Sequence, residues 1–453
     1  MSFIRSEEPP VIDTEPVIDT ETLSAIFLHP IEGSETPSTP RIPYIYSLDS
    51  WLNLDIPNYI YKHRGDNSEL YKQKKYKIIS FDDFADITET LADVLVSRYS
   101  VIENWLYDIT PEISKDYDPV FIQRIKIYDP YAKIICIGDL HSSFTSLINI
   151  LRNIQYAFSK NFKLKKDYYL IFLGDIVDRG PYGIELIILI SLLQMYNEDN
   201  VFVINGNHED FVTYKTYGFA DEVLEQFAEQ FSGKFFEQFS DIVRKQYIKD
   251  ALLKITYFLH YYPSAIFIEL ANGNKYQFNH GAITENANDI KIIKSLLESP
   301  DNINFAFLNK YDLYKKRFQD TTDHLKWGDF TLFDGIYSSD RGIGILVFGM
   351  DEVEKYLKNI GIKAIISGHQ DLSNLTFVGY DNPKFELDPG YDVGLYGYDA
   401  LFRPIGYDSL KLGRLYSYIP GKDFIALNTS SAYMSESNEK TLKYDCYVIL
   451  GRL

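Results

Sequence analysis

Five short clusters in this chain concentrate the side chain types that ligate divalent metal ions: GDLH (Gly138 to His141), GDIVDRG (Gly174 to Gly180), GNHED (Gly206 to Asp210), NHG (Asn279 to Gly281) and SGH (Ser367 to His369). Four of the eight histidines fall in them, whereas His29, His63, His260 and His324 are scattered. Carboxylate, imidazole and amide oxygen together describe a borderline to hard cation site, and the lack of cysteine in the clusters argues against a thiolate structural zinc. The residues suit two ions better than one. Asp139 and His141 are two apart and point the same way from an extended chain, while Asp175 can use both carboxylate oxygens to bridge. Asn207, His280 and His369 would complete the shell of the second ion. The glycines permit close backbone approach at each turn.

Arg179 and Arg341 offer planar donor pairs that match phosphate oxygens, and two of them beside a two-metal centre would hold a phosphoryl group. His208 follows Asn207 directly. Its side chain can point across the site, with Asp178 holding it as an imidazolium able to protonate a leaving oxygen. Any one cluster alone reads as a capped turn or a satisfied strand end, but five of them together outweigh that reading. Trp327 is as readily a core aromatic as a site-lining one, and Tyr433, in a chain with 37 tyrosines, reads by itself as packing.

The segments that must position these clusters are short apolar runs. They are KIICI before Gly138, YYLIFL before Gly174, VFVI before Asn205, KYQF before Asn279, AIIS before Gly368 and DFIAL before Asn428. Their length, aliphatic content and Gly/Asn punctuation predict buried strands. The stretches Phe144 to Tyr156, Ile184 to Tyr196 and Asp351 to Ile360 read as amphipathic helices between them. The result is an α/β layered domain over residues 131–453. Polar groups at strand ends in such a sheet converge on one rim.

Upstream, Phe84, Ile87, Leu91, Val94 and Leu95 have helical spacing, so residues 51–130 read as a mainly helical extension. Residues 1–50 hold seven prolines and nine acids against two arginines, with the phrase PVIDTE doubled from Pro10. Such a segment buries too little apolar surface to offset its ordering entropy, and it reads as a flexible acidic tail.

Over 453 residues, 45 basic against 64 acidic side chains give a formal charge of −19, which disfavours nucleic acid and anionic lipid as partners. Two cysteines exclude a disulfide framework and fit a reducing compartment. The run Leu186 to Leu193 falls short of the roughly 20 apolar residues of a membrane span. A soluble intracellular protein is expected, cytoplasmic rather than nuclear.

The motif series resembles that of the calcineurin-like metallophosphoesterases, and more narrowly the serine/threonine phosphoprotein phosphatases. YGFADE at Tyr217 to Glu222, LHYYPSAIFIE at Leu259 to Glu269, WGD at Trp327, SDRG at Ser339 to Gly342 and Tyr433 in the last loop carry the narrower likeness. The resemblance implies two packed mixed β-sheets flanked by helices, with two divalent metal ions, manganese foremost and iron, zinc or magnesium compatible. It implies Asp139, His141 and Asp175 on one ion and Asp175, Asn207, His280 and His369 on the other. Arg179, Arg341, Asn207 and Tyr433 would bind the phosphate, His208 paired with Asp178 would be the general acid, and a metal-bridging hydroxide would attack phosphorus. The chain departs from the family pattern at Ser142, Ala282, Asn205, Ser367 and Gly368, in the loop SAYMSES, and in a helical insert near residues 226–249.

The expected activity is dephosphorylation of phosphoserine and phosphothreonine proteins. Two alternatives stand beside it: the same site acting on nucleotides or polynucleotide ends, and an inactive scaffold that binds a protein partner through the tail or the insert.

Overall fold

The computed structural model describes residues 47–54, 74, 79–106, 120–227, 257–308, 324–331, 333–339, 341–342 and 344–369, and the strands Asp392–Tyr398, Tyr416–Tyr418, Phe424–Leu427 and Asp445–Gly451. The acidic tail before residue 47, Tyr433 and nearly all of the insert at 226–249 lie outside the described residues.

In chain order the helices used below are α1 (Leu48–Leu52), α2 (Phe81–Tyr99), α3 (Phe144–Asn153), α4 (Gly183–Tyr196), α5 (Phe211–Tyr217), α6 (Phe219–Gln226), α7 (Ala287–Glu298), α8 (His324–Trp327) and α9 (Met350–Ile360). The strands nearest the site are β1 (Phe121–Ile127), β2 (Lys133–Ile137), β3 (Tyr168–Phe172), β4 (Val201–Val203), β5 (Ala265–Leu270), β6 (Lys275–Asn279) and β7 (Ala364–Ser367).

Two mixed sheets carry these strands. The five-stranded sheet runs Asp392–Tyr398, Asp445–Gly451, β2, β3, β4. In it β2, β3 and β4 are parallel, so residues 139, 175 and 207 leave at one edge. The seven-stranded sheet runs Tyr416–Tyr418, Phe424–Leu427, β7, β6, β5, β1, Phe305–Phe307, and β6 and β7 are parallel, which brings His280 and His369 to a common edge.

Alternation along each strand explains the layering. Ile134 and Cys136 of β2 and Ile171 of β3 share a buried cluster with Ile266 and Ile268 of β5, Phe278 of β6 and Ile366 of β7. That cluster is the seam between the sheets. Their neighbours Ile135, Ile137, Leu170 and Phe172 point the other way, into a cluster with α3 and α4. On the second sheet Phe267 and Ile365 face α7 and α9. A period of two on strands buried on both faces requires the near-continuous apolar runs seen in the sequence.

Helix α4 departs from its expected amphipathic character. Every residue from Gly183 to Gln194 is buried, because α2 packs over the face that would otherwise meet solvent. Helix α2 buries Phe84, Thr88, Leu91, Leu95 and Tyr99, a single stripe at three- and four-residue spacing. Its N-terminus is capped by Ser80, whose Oγ accepts the Asp83 amide at 3.1 Å. Helix α1 is tied to α3 by Arg152, whose Nε donates to the Leu52 carbonyl at 2.7 Å. The segment expected to be mainly helical also contains β1, which pairs in parallel with β5, so the layered body begins ahead of residue 131.

Arg124 of β1 is 1 % exposed, and its guanidinium closes the C-terminal end of α7. Nη1 donates to the Leu296 and Ser299 carbonyls at 2.8 Å each, and Nη2 donates to those of Pro300 and Ile303. Replacing it leaves buried carbonyls without donors and removes a cation from a helix C-terminus. Arg124→Met is expected to lower unfolding stability by about 3 kcal/mol, read from the shift of the urea midpoint at unchanged slope.

Candidate active site

Each histidine of the clusters follows a strand end, and the backbone there takes unusual conformations. Among the described residues seven non-glycine positions have positive φ, and six of them are His141, Ser142, Asp175, Asp178, Arg179 and His369. Left-handed backbone at such residues costs about 1 kcal/mol or more apiece and persists where surrounding contacts impose it. Close packing of the strand-end loops is one such contact. A Cβ on Gly174, itself at φ 96°, would sit 2.6 Å from the Gly206 nitrogen, so only glycine lets these two loops touch.

Glu209, to which the sequence assigned no role, welds the same loops. Its Oε2 accepts the amides of Asp175 and Gly206 at 2.8 Å each, and its Oε1 accepts the Ile176 amide at 2.8 Å. Burial and the neighbouring Asp175 charge push its carboxyl up to about 7. Its position inside GNHED was the available signal, since a carboxylate beside two glycine turns has several amides to accept.

Asp175 lies at the centre, 2 % exposed. Its Oδ1 accepts the His208 amide at 2.9 Å and stands 3.1 Å from His280 Nε2, while Oδ2 stands 3.5 Å from His141 Nε2. Burial opposes its charge, but His280 and His208 outweigh that and hold it well below the usual carboxylate range.

Three histidines present themselves in the same way. His280 gives Nδ1 to the Leu173 carbonyl (2.9 Å), His369 gives Nε2 to that of Trp327 (3.1 Å), and His141 gives Nδ1 to that of Val177 (3.3 Å). The other nitrogen of each ring is thereby left for the interior. There Asn207 Oδ1 is 2.8 Å from both His280 Nε2 and His369 Nδ1, and those two nitrogens are 3.2 Å apart. Lone pairs converge at these distances only around a proton or a cation. Burial works against a proton on His280, yet the charges of Asp175 and Asp139 overcome it and raise the imidazole to about 9.

This donor set fits metal ions. His141, Asp175 and His208 form one buried group and Asp175, His280 and His369 another, with all donor atoms of each group within 4.8 Å of one another. Asp175 belongs to both, the sharing expected of a bridging carboxylate. In the first group the structure brings in His208 where the sequence reading put Asp139. The Asp139 carboxylate is 4.0 Å from His141 Nε2 and 3.8 Å from His280 Nδ1, and it accepts the His369 amide at 2.9 and 3.1 Å. Burial, partly offset by His280, pushes its pKa up to about 6.

Arg179 sits over this group. Its Nη1 donates to His141 Nε2 at 3.0 Å and its Nη2 to His208 Nε2 at 3.1 Å, and its own amide donates to the Tyr217 carbonyl at 2.8 Å. His208 gives Nδ1 to Asp178 Oδ2 at 2.8 Å, and Asp178 Oδ1 accepts the Phe219 amide at 3.0 Å. Arg341 lies by the second group, its Nε donating to Asp329 Oδ2 at 2.7 Å and its Nη2 to the His369 carbonyl at 3.5 Å.

His324, one of the histidines judged scattered, anchors the loop that carries Arg341. Its two ring nitrogens lie 2.8 Å from Glu285 Oε2 and 2.9 Å from the Gly344 carbonyl. Nothing in its spacing marked it, because both partners are remote in sequence.

The arrangement can hold cations on one side of a phosphoryl group and guanidinium groups on the other. A family model described as calcineurin-like phosphoesterase matches residues 132–371. The chain is 25% identical over 323 residues to serine/threonine-protein phosphatase T of Aspergillus oryzae, covering 68% of this chain and 57% of that protein. To serine/threonine-protein phosphatase T of Saccharomyces cerevisiae it is 23% identical over 356 residues, covering 76% and 59%. The chain thus spans less than two thirds of the length of either relative. A solved Saccharomyces cerevisiae serine/threonine phosphatase, described as similar to human phosphatase PP5, aligns with TM-score 0.45 and 17% identity over 80% of this chain and 89% of that one. No described helix is long and apolar enough to cross a membrane. Because the family model spans more than half of the 453 residues and takes in all four clustered histidines and both arginines, the chain belongs to the calcineurin-like phosphoesterase family.

Proposed function

We propose that this chain is a metal-dependent phosphomonoesterase that removes phosphate from phosphoserine and phosphothreonine proteins. The observation that carries the reading is one buried carboxylate, Asp175, shared by two groups of metal-ligating side chains with Arg179 against one of them. The naming of the Aspergillus and Saccharomyces relatives as serine/threonine phosphatases supports the choice of substrate.

In this reading residues 131–453 carry the catalytic machinery, and Asp139, His141, Asp175, Asn207, His280 and His369 hold two divalent ions, manganese being the expected pair. Such ions, when bound, draw charge from phosphoryl oxygens and lower the pKa of water at the site. The chain itself orients the ester. Arg179 turns its Nη donors from the two imidazoles to the phosphate oxygens, with Arg341 and Asn207 as further donors and Tyr433 assigned to the same role by the family resemblance alone. Releasing His208 Nε2 from Arg179 lets that nitrogen take a proton. Nδ1 stays on Asp178, which stabilises the resulting imidazolium, and the Nε2 proton passes to the departing oxygen of the serine or threonine.

Three outcomes are expected. With added manganese the protein hydrolyses an aryl phosphate and a phosphothreonine peptide, and Asp175→Asn abolishes both. Turnover of nucleotides alone would overturn the substrate assignment, and no turnover by protein with metal bound would favour a binding scaffold. His208→Ala is expected to cost about 100-fold or more in kcat on the phosphothreonine peptide and much less on an aryl phosphate, whose leaving oxygen needs no proton. An equal loss on both would remove the general acid.

The third concerns pH. His280 Nε2 must shed its proton before a cation takes it, so manganese affinity, measured by calorimetry, is expected to rise with pH and level off above about 9. The sign for stability is opposite. The raised imidazole stabilises the metal-free fold fully below its ordinary pKa near 6.5, and that contribution is lost as pH climbs through about 9. The thermal midpoint of metal-free protein should fall over this window, and that of metal-loaded protein should not.

A further inference from the structure

Lys74, upstream of both sheets, is buried inside the catalytic body. Its side chain is 1 % exposed, with Nζ 2.5 Å from Glu185 Oε2 and 3.0 Å from Glu222 Oε1, a further bond to Gln226 Oε1, and the Tyr182 ring 5.1 Å away. Glu185 and Glu222 are themselves 0 % and 1 % exposed. A buried carboxyl can carry charge at that depth only beside a cation, and Lys74 supplies one.

Glu222 connects this charge to the site. Its Oε2 accepts the Gly183 amide at 2.9 Å and its Oε1 the Ile184 amide at 3.1 Å, so it holds the first turn of α4, where the GDIVDRG loop ends. Glu222 lies on α6, and the first amide of that helix, at Phe219, donates to Asp178 Oδ1, while the residue before the turn into α6, Tyr217, takes the Arg179 amide on its carbonyl. The loop carrying Asp178 and Arg179 is therefore gripped in its middle by residues 217–219 and at its end by Glu222. Both grips belong to one short helical segment, and Lys74 binds its Glu222.

We propose that Lys74 is a positioning residue for the phosphate-binding loop: by offsetting one of the two charges of the Glu185–Glu222 pair it keeps Glu222 bonded to the start of α4 and so fixes where Asp178 and Arg179 stand. Burial and the Glu185 charge already push the Glu222 carboxyl up to about 7, with Lys74 acting in the opposite sense. Without the lysine one carboxyl must take a proton, and a protonated Glu222 presents a donor where an amide now donates to it.

The kinetic consequence rests on the phosphatase reading above, and the structural one does not, so the test measures both on the full chain. Hydrogen exchange in Lys74→Met is expected to speed up by about tenfold or more at Arg179, Gly183 and Ile184, with little change in the β2–β3 core. Activity on an aryl phosphate should fall about tenfold in kcat/KM. Lys74→Met/Glu185→Gln restores the net charge of the cluster and should recover most of both. Exchange at the wild-type rate in a folded Lys74→Met protein would overturn the inference, as would a double variant no better protected than the single one. If the single variant does not fold, wild-type protection in the double variant supports the inference and failure of both to fold overturns it. A wild-type protein without activity would refute the phosphatase reading, leaving the exchange result to decide this one.

Discussion

A carboxylate as deeply buried as Asp175 stays ionised only if positive charge and donors surround it, and the architecture converges on that requirement. Its own loop follows β3. The compensation comes from the loop after β2, which brings His141, from the loop after β4, which brings His208, and from the other sheet, which brings His280. Four strand ends from two sheets thus meet at one side chain. The apolar seam between the sheets holds them at the distance at which this is possible, and close packing of that seam leaves little room for either sheet to slide.

The same economy governs the supports. Glu209 holds two loops by three amides, Glu222 holds the start of α4, Asp178 orients His208, and Asp329 holds Arg341. Each is an acid whose acceptor capacity is directed at backbone N–H groups or at a cation. The net acidity of the chain is therefore in part structural: several of its carboxylates are interior fasteners rather than surface charge. Strain accumulates where they act, since the left-handed residues cluster in the loops these acids hold.

Ser142 shows what this costs. It takes φ 57° in a position where the resembling family usually has glycine, and its buried hydroxyl finds no hydrogen-bond partner among the described residues. Its amide nevertheless donates to the Ile176 carbonyl at 2.8 Å, one of the bonds that knit the first two loops together. The loop geometry persists because its surroundings over-determine it.

Much of this was legible beforehand. The apolar runs named the strands because a strand covered on both faces must be apolar at every position, and the polar clusters that end them named the rim because nothing else explains carboxylate and imidazole at so many strand ends. Where the structure departs from the sequence pattern, the cause is physical. Helix α4 is apolar on every side, a composition that calls for burial all round rather than for an amphipathic surface helix, and β1 escapes notice as a strand because a seven-residue run containing Gln123, Arg124 and Lys126 lacks strand-like apolarity. His324 and Lys74 carried no local signal, since their partners lie tens to more than a hundred residues away. Residue types and periodicity by themselves determined which segments form the strands that end in the polar clusters and which side chains can ligate a metal, because those follow from local sterics and donor chemistry. Only the tertiary structure decided that His208 joins His141 and Asp175 in one donor group and that a lysine from upstream lies against two buried acids, because such distances are set by how the layers pack.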